Sequence, residues 1–267
     1  MIYVNGKEVL TTKFPDGTMS LRYDAHCLDT RNVVITWKYD SDTEYMTLWY
    51  LVNHIRSTMW IDAQILLVMP YIPNARMDRV KNDDEVFTLK WFTDFINALH
   101  FCRVEVLDPH SNVAPALINN CCVVQPYEYV DETITAIGSE NLLLCYPDEG
   151  AAKRYSDLLD AEYIFGIKHR DWRTGKIERL ELTTPEKVSG RDVLIVDDIC
   201  SRGGTFTHTA KALKEAGAKD IYLYVSHCEN TIFKGTVLED GLIRHVFTTD
   251  SIYRGKHKNI TVINGRE

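Results

Sequence analysis

Residues 193–206, VLIVDDICSRGGTF, run four apolar residues directly into two carboxylates, a glycine-rich loop and the start of a helical pattern. The apolar run predicts a buried strand over Val193–Val196. Phe206, Ala210, Leu213 and Ala216 then recur on one helix face, which Gly217 ends. In open α/β sheets ligands bind beyond the carboxyl ends of the strands, so Asp197 and Asp198 are expected to project where a substrate lies. Gly203 and Gly204 permit a tight turn, and the N–H groups of such a loop and of the first helical turn can point at a phosphate. An acidic pair beside a bound anion suits ribose hydroxyls or hydrated Mg²⁺, since both need strong oxygen acceptors. The plainer reading, an Asp N-cap followed by a glycine turn, accounts for less of the pattern.

The same grammar extends in both directions. Toward the C-terminus, Ile221–Val225 reads as the next strand; toward the N-terminus, Tyr163–Ile167 and Asn141–Cys145 are strands separated by a short helix over Gly150–Leu159. Farther back, Val33–Trp37, Gln64–Met69 and Val104–Leu107 read as strands, with a helix over Glu44–Trp60 and a second one marked by Phe87, Trp91, Phe95 and Leu99. This alternation predicts an α/β protein of two tandem Rossmann-like domains with mostly parallel sheets. Between the halves, Asn119–Ile134 has weak periodicity and contains Pro126, so the domains are set at 1–128 and 129–267.

Composition excludes several classes. With 45% hydrophobic and 25% charged residues among 267, the chain is an ordinary globular protein. Its 38 acidic and 30 basic residues give a net charge of −8, which disfavours a nucleic-acid partner but leaves small phosphorylated ligands open. The seven cysteines, at 27, 102, 121, 122, 145, 200 and 228, include no C-x-x-C pair, so neither a disulfide framework nor a zinc site is expected. Cys200, beside the glycine loop, is open to oxidation, but nothing in the chain supplies a resolving or catalytic partner, and the other six cysteines read as small apolar residues. The N-terminal MIYVNGKEVLTTKF lacks the form of an export signal, and no apolar stretch approaches the roughly 20 residues of a membrane span. A cytoplasmic protein without a membrane partner is expected.

Residues 193–206 resemble the ribose-phosphate loop of phosphoribosyltransferases and, within that superfamily, of ribose-phosphate diphosphokinases (phosphoribosyl pyrophosphate synthetases). Four further segments, in the same order along the chain, favour the diphosphokinases. Residues 71–79, YIPNARMDR, are similar to their strand-end sequence of Tyr-Ala-Arg-Gln-Asp type, which implies that Arg76 and Asp78 contact ATP. Residues 107–110, LDPH, resemble their Asp-Leu-His segment and imply that His110 meets Mg-ATP. Residues 14–17, FPDG, resemble the loop that reaches a neighbouring subunit's adenine, carried here by Phe14 and Asp16. Residues 147–150, PDEG, with Arg154 beyond, imply that Asp148 lies near a second metal. Lys168 and Arg170 match the Lys-x-Arg of the family's catalytic loop, ahead of a hairpin or flap over residues 171–179.

The resemblance thus implies an enzyme that transfers the pyrophosphoryl group of Mg-ATP to the anomeric hydroxyl of a ribose 5-phosphate-type sugar and releases AMP. Catalysis would rest on Lys168 and Arg170, because a loose, anionic transition state is stabilised chiefly by aligned cations. ATP would be bound by Phe14, Asp16, Arg76, Asp78 and His110, the metals by His110 and Asp148, and the sugar phosphate by Asp197, Asp198 and Ser201, Arg202, Gly203, Gly204 and Thr205. Mg²⁺ is the implied cofactor, and a homo-oligomer, at least a dimer, the implied assembly. A phosphoribosyltransferase and a catalytically silent regulatory subunit are the alternatives.

The sequence also departs from the family. The loop normally reads Asp-Thr-(Gly or Cys)-Gly-Thr, whereas here Ser201 and Arg202 replace its acid and its threonine. Removing a negative charge and adding a positive one makes the pocket two units more favourable to anions. Two readings follow: a larger 5-substituent such as the diphosphate of ADP-ribose, gripped by Arg202, or ordinary ribose 5-phosphate with Arg202 in solvent. Thr18 stands where the family's loop has Glu, and Met77 where it has Gln. The sequence ends soon after Ile263, short of the family's C-terminal helix, so the usual hexamer and its allosteric sites are not carried over.

Overall fold

The structure, a computed structural model, describes residues 1–28, 32–58, 64–170 and 177–264; for Cys27, residues 168–170 and residues 177–179 it describes the backbone only. The chain divides into two compact units, Met1–Gln125 and Pro126–Glu267.

The first unit opens with four short strands, β1 (Ile2–Val4), β2 (Lys7–Glu8), β3 (Leu10–Lys13) and β4 (Met19–Arg22). They are too short for apolar periodicity to signal, but one has a local cue. Asn5 and Gly6 both take positive φ, 45° and 79°, as a two-residue hairpin turn requires, and Asn-Gly is the pair that favours it. There follow β5 (Asn32–Trp37), α1 (Thr43–Thr58), β6 (Gln64–Val68), α2 (Thr88–Ala98), β7 (Arg103–Leu107), α3 (Val113–Leu117) and β8 (Cys121–Val124). The sheet order is β2-β1-β5-β6-β7-β8, with β5 through β8 parallel and β1 antiparallel to β5. Every crossover steps in the same direction, so right-handed connections put α1, α2 and α3 on one face. That face buries Ile35, Trp37, Leu48, Val52, Ile65 and Leu67.

The helix marked by Phe87, Trp91, Phe95 and Leu99 is α2, but its buried stripe is another one. Leu89, Phe92, Thr93 and Ile96 are buried, whereas Trp91 is 62% exposed. At 100° per residue, Leu89, Phe92, Thr93 and Ile96 share a face with Trp91 opposite it, so burial follows the i, i+3, i+4, i+7 set rather than the largest rings.

The second unit contains α4 (Tyr127–Ile137), β9 (Leu142–Tyr146), α5 (Glu149–Tyr155), β10 (Tyr163–Arg170), β11 (Ile177–Leu182), β12 (Asp192–Cys200), α6 (Gly204–Glu215), β13 (Ile221–Cys228), β14 (His245–Thr248) and β15 (Ile260–Val262). Strand β12 is longer than its apolar run suggests and carries Asp197 and Asp198 within it. Residues 119–134, where periodicity is weak, contain β8 and most of α4; β8 is an edge strand, and α4 buries only Val130 and Thr133.

The sheet order is β11-β10-β9-β12-β13-β14-β15, all parallel except β11. From β9 the chain steps outward to β10 and β11, then returns to β12 and proceeds the other way. Alternation along the strands divides the core between two faces. Leu143, Val193, Ile195 and Leu223 pack with Phe206, Ala210 and Leu213 of α6, while Leu144, Tyr146, Leu194 and Val196 pack with Ala151, Ala152 and Tyr155 of α5. Helices thus cover both sides, and the reversal of strand order falls between β9 and β12, the position where such sheets leave a ligand crevice. Among the described residues no helix is long and apolar enough to cross a membrane.

Candidate active site

At the reversal point, β9 runs into Pro147 and Asp148, and β12 ends in Asp197 through Cys200. Asp148 is the N-cap of α5: its Oδ1 accepts a hydrogen bond from the Ala151 N–H at 3.0 Å. The same helix carries Arg154 across to β12, where its Nη2 lies 3.0 Å from Asp197 Oδ1 and 2.9 Å from Asp198 Oδ1. One guanidinium nitrogen therefore bridges the acidic pair. Asp198 is buried, Asp197 nearly so, and the Arg154 guanidinium lies 5.2 Å from the Tyr155 ring centre.

Burial first, and the adjacent Asp198 charge second, push the Asp197 carboxyl well above the usual carboxylate range; Arg154 opposes the rise. Burial also works against the Arg154 charge, but Tyr155, Asp198 and Asp197 outweigh it and hold the guanidinium above its ordinary value. The sequence names Arg154 without giving it a partner. The available signal was a cation flanked by Ala151, Ala152 and Tyr155, which all face the core.

After Cys200 the chain enters the loop. Gly203 adopts φ 77° and α6 begins at Gly204, so loop amides and the first helical turn converge at one end of β12. The loop is braced from behind by the segment that follows β13. A Cβ at Gly235 would stand 1.8 Å from the Arg202 carbonyl oxygen, so only glycine permits this approach. The Arg202 side chain is exposed.

Ser201 is not simply a loop hydroxyl awaiting an anion. Its Oγ donates to Glu229 Oε2 at 2.8 Å, Thr231 Oγ1 donates to the same oxygen at 2.9 Å, and the two hydroxyls are 3.1 Å apart. The acid that the loop lacks at position 201 is thus replaced in space by Glu229, and the charge advantage inferred from Ser201 and Arg202 falls from two units to one. Nothing in the linear pattern points to Glu229, 28 residues from Ser201. Cys200 is buried, and its thiol is pushed up by hydrogen bonding with Cys228 and then by burial, the opposite of a reactive thiolate.

The remaining candidates of the second unit lie on β10. Lys168 pairs in backbone register with Leu180, and Arg170 with Ile177, across an irregularity between His169 and Arg170. Their side chains, and residues 171–176 of the expected flap, lie outside the described residues.

In the first unit, Leu107 N–H bonds to the Pro70 carbonyl at 3.0 Å, which sets the segments after β6 and β7 side by side. Arg76 and Asp78 follow one of them and His110 the other. Asp78 is almost buried and accepts from Arg79 Nε at 3.0 Å; Arg76 is exposed. Two non-glycine residues here are left-handed, Asn74 (φ 62°) and Asp108 (φ 39°), a local cost typical of ligand-facing turns. Phe14 and Asp16 sit together at the tip of the β3–β4 hairpin. Phe14 is 55% exposed rather than part of the core, and Asp16 Oδ1 accepts from Thr18 N at 2.9 Å and Thr18 Oγ1 at 2.6 Å. Those bonds hold the Asp16 carboxyl below its ordinary value, so Thr18, the departure from the family's Glu, orients Asp16. Among the described residues no three His, Cys, Asp or Glu side chains form a ready-made metal cluster.

The sequence pattern of the phosphoribosyl transferase domain family matches residues 150–251, which hold the Arg154–Asp197–Asp198 bridge and the glycine loop. The ribose-phosphate pyrophosphokinase of Pyrococcus abyssi is 30% identical over 222 residues, covering 80% of this chain and 74% of that protein. The chain belongs to the ribose-phosphate pyrophosphokinase family. The pyrophosphokinase of Sulfurisphaera tokodaii is 26% identical over 258 residues, 94% of this chain and 86% of its own length. The crystal structure of phosphoribosylpyrophosphate synthetase from Mycobacterium smegmatis superposes with a TM-score of 0.73 over 96% of this chain and 86% of its own, at 17% identity. This pyrophosphokinase-family chain is therefore a transferase of phosphorus-containing groups, built from two phosphoribosyltransferase-type α/β units.

Proposed function

We propose that the chain transfers the pyrophosphoryl group of Mg-ATP to the anomeric hydroxyl of a 5-phosphorylated ribose, giving a 1-pyrophosphorylated sugar and AMP. The observation that carries this reading is the acidic pair at the strand-order reversal, bridged by Arg154 and followed at once by the glycine loop. In this reading Asp197 and Asp198 hold the ribose hydroxyls, and residues 201–205 hold the 5-phosphate through backbone N–H groups more than through the Ser201 hydroxyl, whose proton goes to Glu229.

Mg²⁺ fits the donor chemistry of Asp148, Asp197 and Asp198: it is held by one or two carboxylates while keeping water and phosphate oxygens. When bound it would neutralise charge on the transferring phosphates. His110 offers a nitrogen, a donor this ion takes less readily, and would meet Mg-ATP through water or the ATP phosphates. Arg76 and Asp78 would bind ATP from the neighbouring strand end, and Phe14 and Asp16 the adenine held by another copy of the chain. Lys168 and Arg170 would stabilise the charge that spreads over the pyrophosphoryl group.

Arg202 favours a 5-substituent carrying a second phosphate, such as ADP-ribose, because an exposed guanidinium at the loop's rim can clamp two phosphate oxygens. The test is AMP release from Mg-ATP with ribose 5-phosphate and, separately, with ADP-ribose, each sugar product being identified by mass. AMP with ADP-ribose, and an Arg202→Thr variant shifted toward ribose 5-phosphate by about tenfold in kcat/KM, is the expected result. Unchanged preference in the variant would leave Arg202 without a role, and no AMP with either sugar would reject the transfer itself.

A further inference from the structure

We infer that a nucleoside subsite lies beyond the glycine loop, in which Phe233 stacks on the base of a nucleoside diphosphate ribose. The inference rests on the proposed reading of Arg202, that the sugar carries a second phosphate, and names what holds the far end of such a ligand. Strand β13 leads into a single 3₁₀ turn over Asn230–Lys234. That turn and the residue after it touch the loop twice. The Thr231 hydroxyl lies 3.1 Å from that of Ser201, and Gly235 backs so closely on the Arg202 carbonyl oxygen that no Cβ fits. Phe233 stands two residues from each contact, so at most about 7 Å of chain separates it from the loop.

Within the turn Ile232 is fully buried, whereas Phe233 is 42% exposed. Single exposed rings are ordinary on protein surfaces, but this one is held in place. Its centre lies 6.2 Å from the Tyr253 ring and 6.2 Å from the His257 ring, both in the connection between β14 and β15. A Cβ at Gly255 would stand 2.5 Å from Phe233 Cε2, so bare backbone packs against the ring there. The Arg254 N–H donates to Asn230 Oδ1 at 3.1 Å and ties the same connection to the turn. A ring so held, and still open to solvent, can take a base with little further loss of side-chain freedom.

The surroundings are basic although the chain is acidic. Residues 249–259 carry Arg254, Lys256 and Lys258 against one acid, Asp250. Arg202, Lys234, Lys256 and Lys258 are exposed. Cations for phosphates and a π face for a base are the two components of nucleotide recognition. Ribose 5-phosphate ends at the loop and has no group to place on Phe233, so the subsite separates the two sugars without touching the ribose.

The experiment measures dissociation constants by calorimetry in the full chain, with Mg²⁺ and α,β-methylene-ATP present so that ADP-ribose does not report on the ATP site. Phe233→Leu keeps apolar bulk beside Gly255 and removes the π face. It should weaken ADP-ribose about tenfold and leave ribose 5-phosphate within about twofold. Ribose 5-diphosphate, which supplies the second phosphate without the base, should bind the wild type about tenfold more weakly than ADP-ribose. Unmoved ADP-ribose affinity in the folded variant overturns the inference, and so does equal weakening of both sugars, which would make the ring a brace for the loop. Should Phe233→Leu fail a thermal-melt check, the wild-type comparison decides: equal affinity for ADP-ribose and ribose 5-diphosphate overturns the subsite and leaves the Arg202 reading standing. A wild type that prefers ribose 5-phosphate to both diphosphates rejects the Arg202 reading and the inference with it. Selective loss of ADP-ribose without AMP formation keeps the subsite and rejects the transfer reading.

Discussion

An Arg154→Met variant is expected to unfold about 3–5 kcal/mol more easily than the parent protein at pH 7.5, the usual consequence of removing one partner from a buried ion pair. Methionine keeps most of the volume of the side chain, so the loss reports on charge: Asp197 and Asp198 lose the guanidinium that bridges them. The pH dependence has a definite sign. Asp197 binds its proton more tightly in the folded chain than in the unfolded one, so its contribution to stability is complete below the unfolded value and is lost as pH rises through the folded value. Arg154 is the group that restrains the rise, so the variant's folded value lies higher still and the affected window widens upward. The variant should therefore recover part of its deficit as the pH is lowered from 7.5 to 5. Urea unfolding at the two pH values measures this; an equal deficit at both would mean that packing, not charge, is what Arg154 supplies.

Lys168→Ala is expected to lower AMP formation by about 10³-fold, in the range seen when one preorganised donor to a developing negative charge is removed. Folding should be nearly unaffected, because Lys168 contributes to β10 through backbone pairing with β11, which alanine retains. The decisive comparison is turnover against thermal midpoint: a midpoint within about 2 °C of wild type is expected for a change of this kind. A rate within tenfold of wild type would place the catalytic cation elsewhere in the chain.

How far these features could be read in advance depends on whether the cue was local. The succession from Val193 through Asp197 and Asp198 to Gly203 and Gly204 is contiguous, so strand, carboxylates, loop and helix all follow from neighbouring residues. Arg154 meets the acidic pair only through the path of α5 over the sheet, and Glu229 meets Ser201 only because β12 and β13 are paired and end together. Such contacts depend on topology and leave no periodic trace. Trp91 differs for another reason: Phe87, Trp91, Phe95 and Leu99 recur every four residues, yet the sheet buries the face that carries Leu89, Phe92, Thr93 and Ile96. In β8 and α4, too few side chains are buried to write a period into the sequence.

The β3–β4 hairpin has one more property. Among the described strands these two pair only with each other, and every side chain of β3 is exposed. A two-stranded ribbon is marginal on its own, and local opening requires far less free energy than unfolding the unit that carries it. In hydrogen-exchange terms, the amides flanking Phe14 and Asp16 should trade with solvent long before those of β12. The part of the chain proposed to meet adenine would then be weakly protected when free, and a place where nucleotide binding would be seen as slowed exchange.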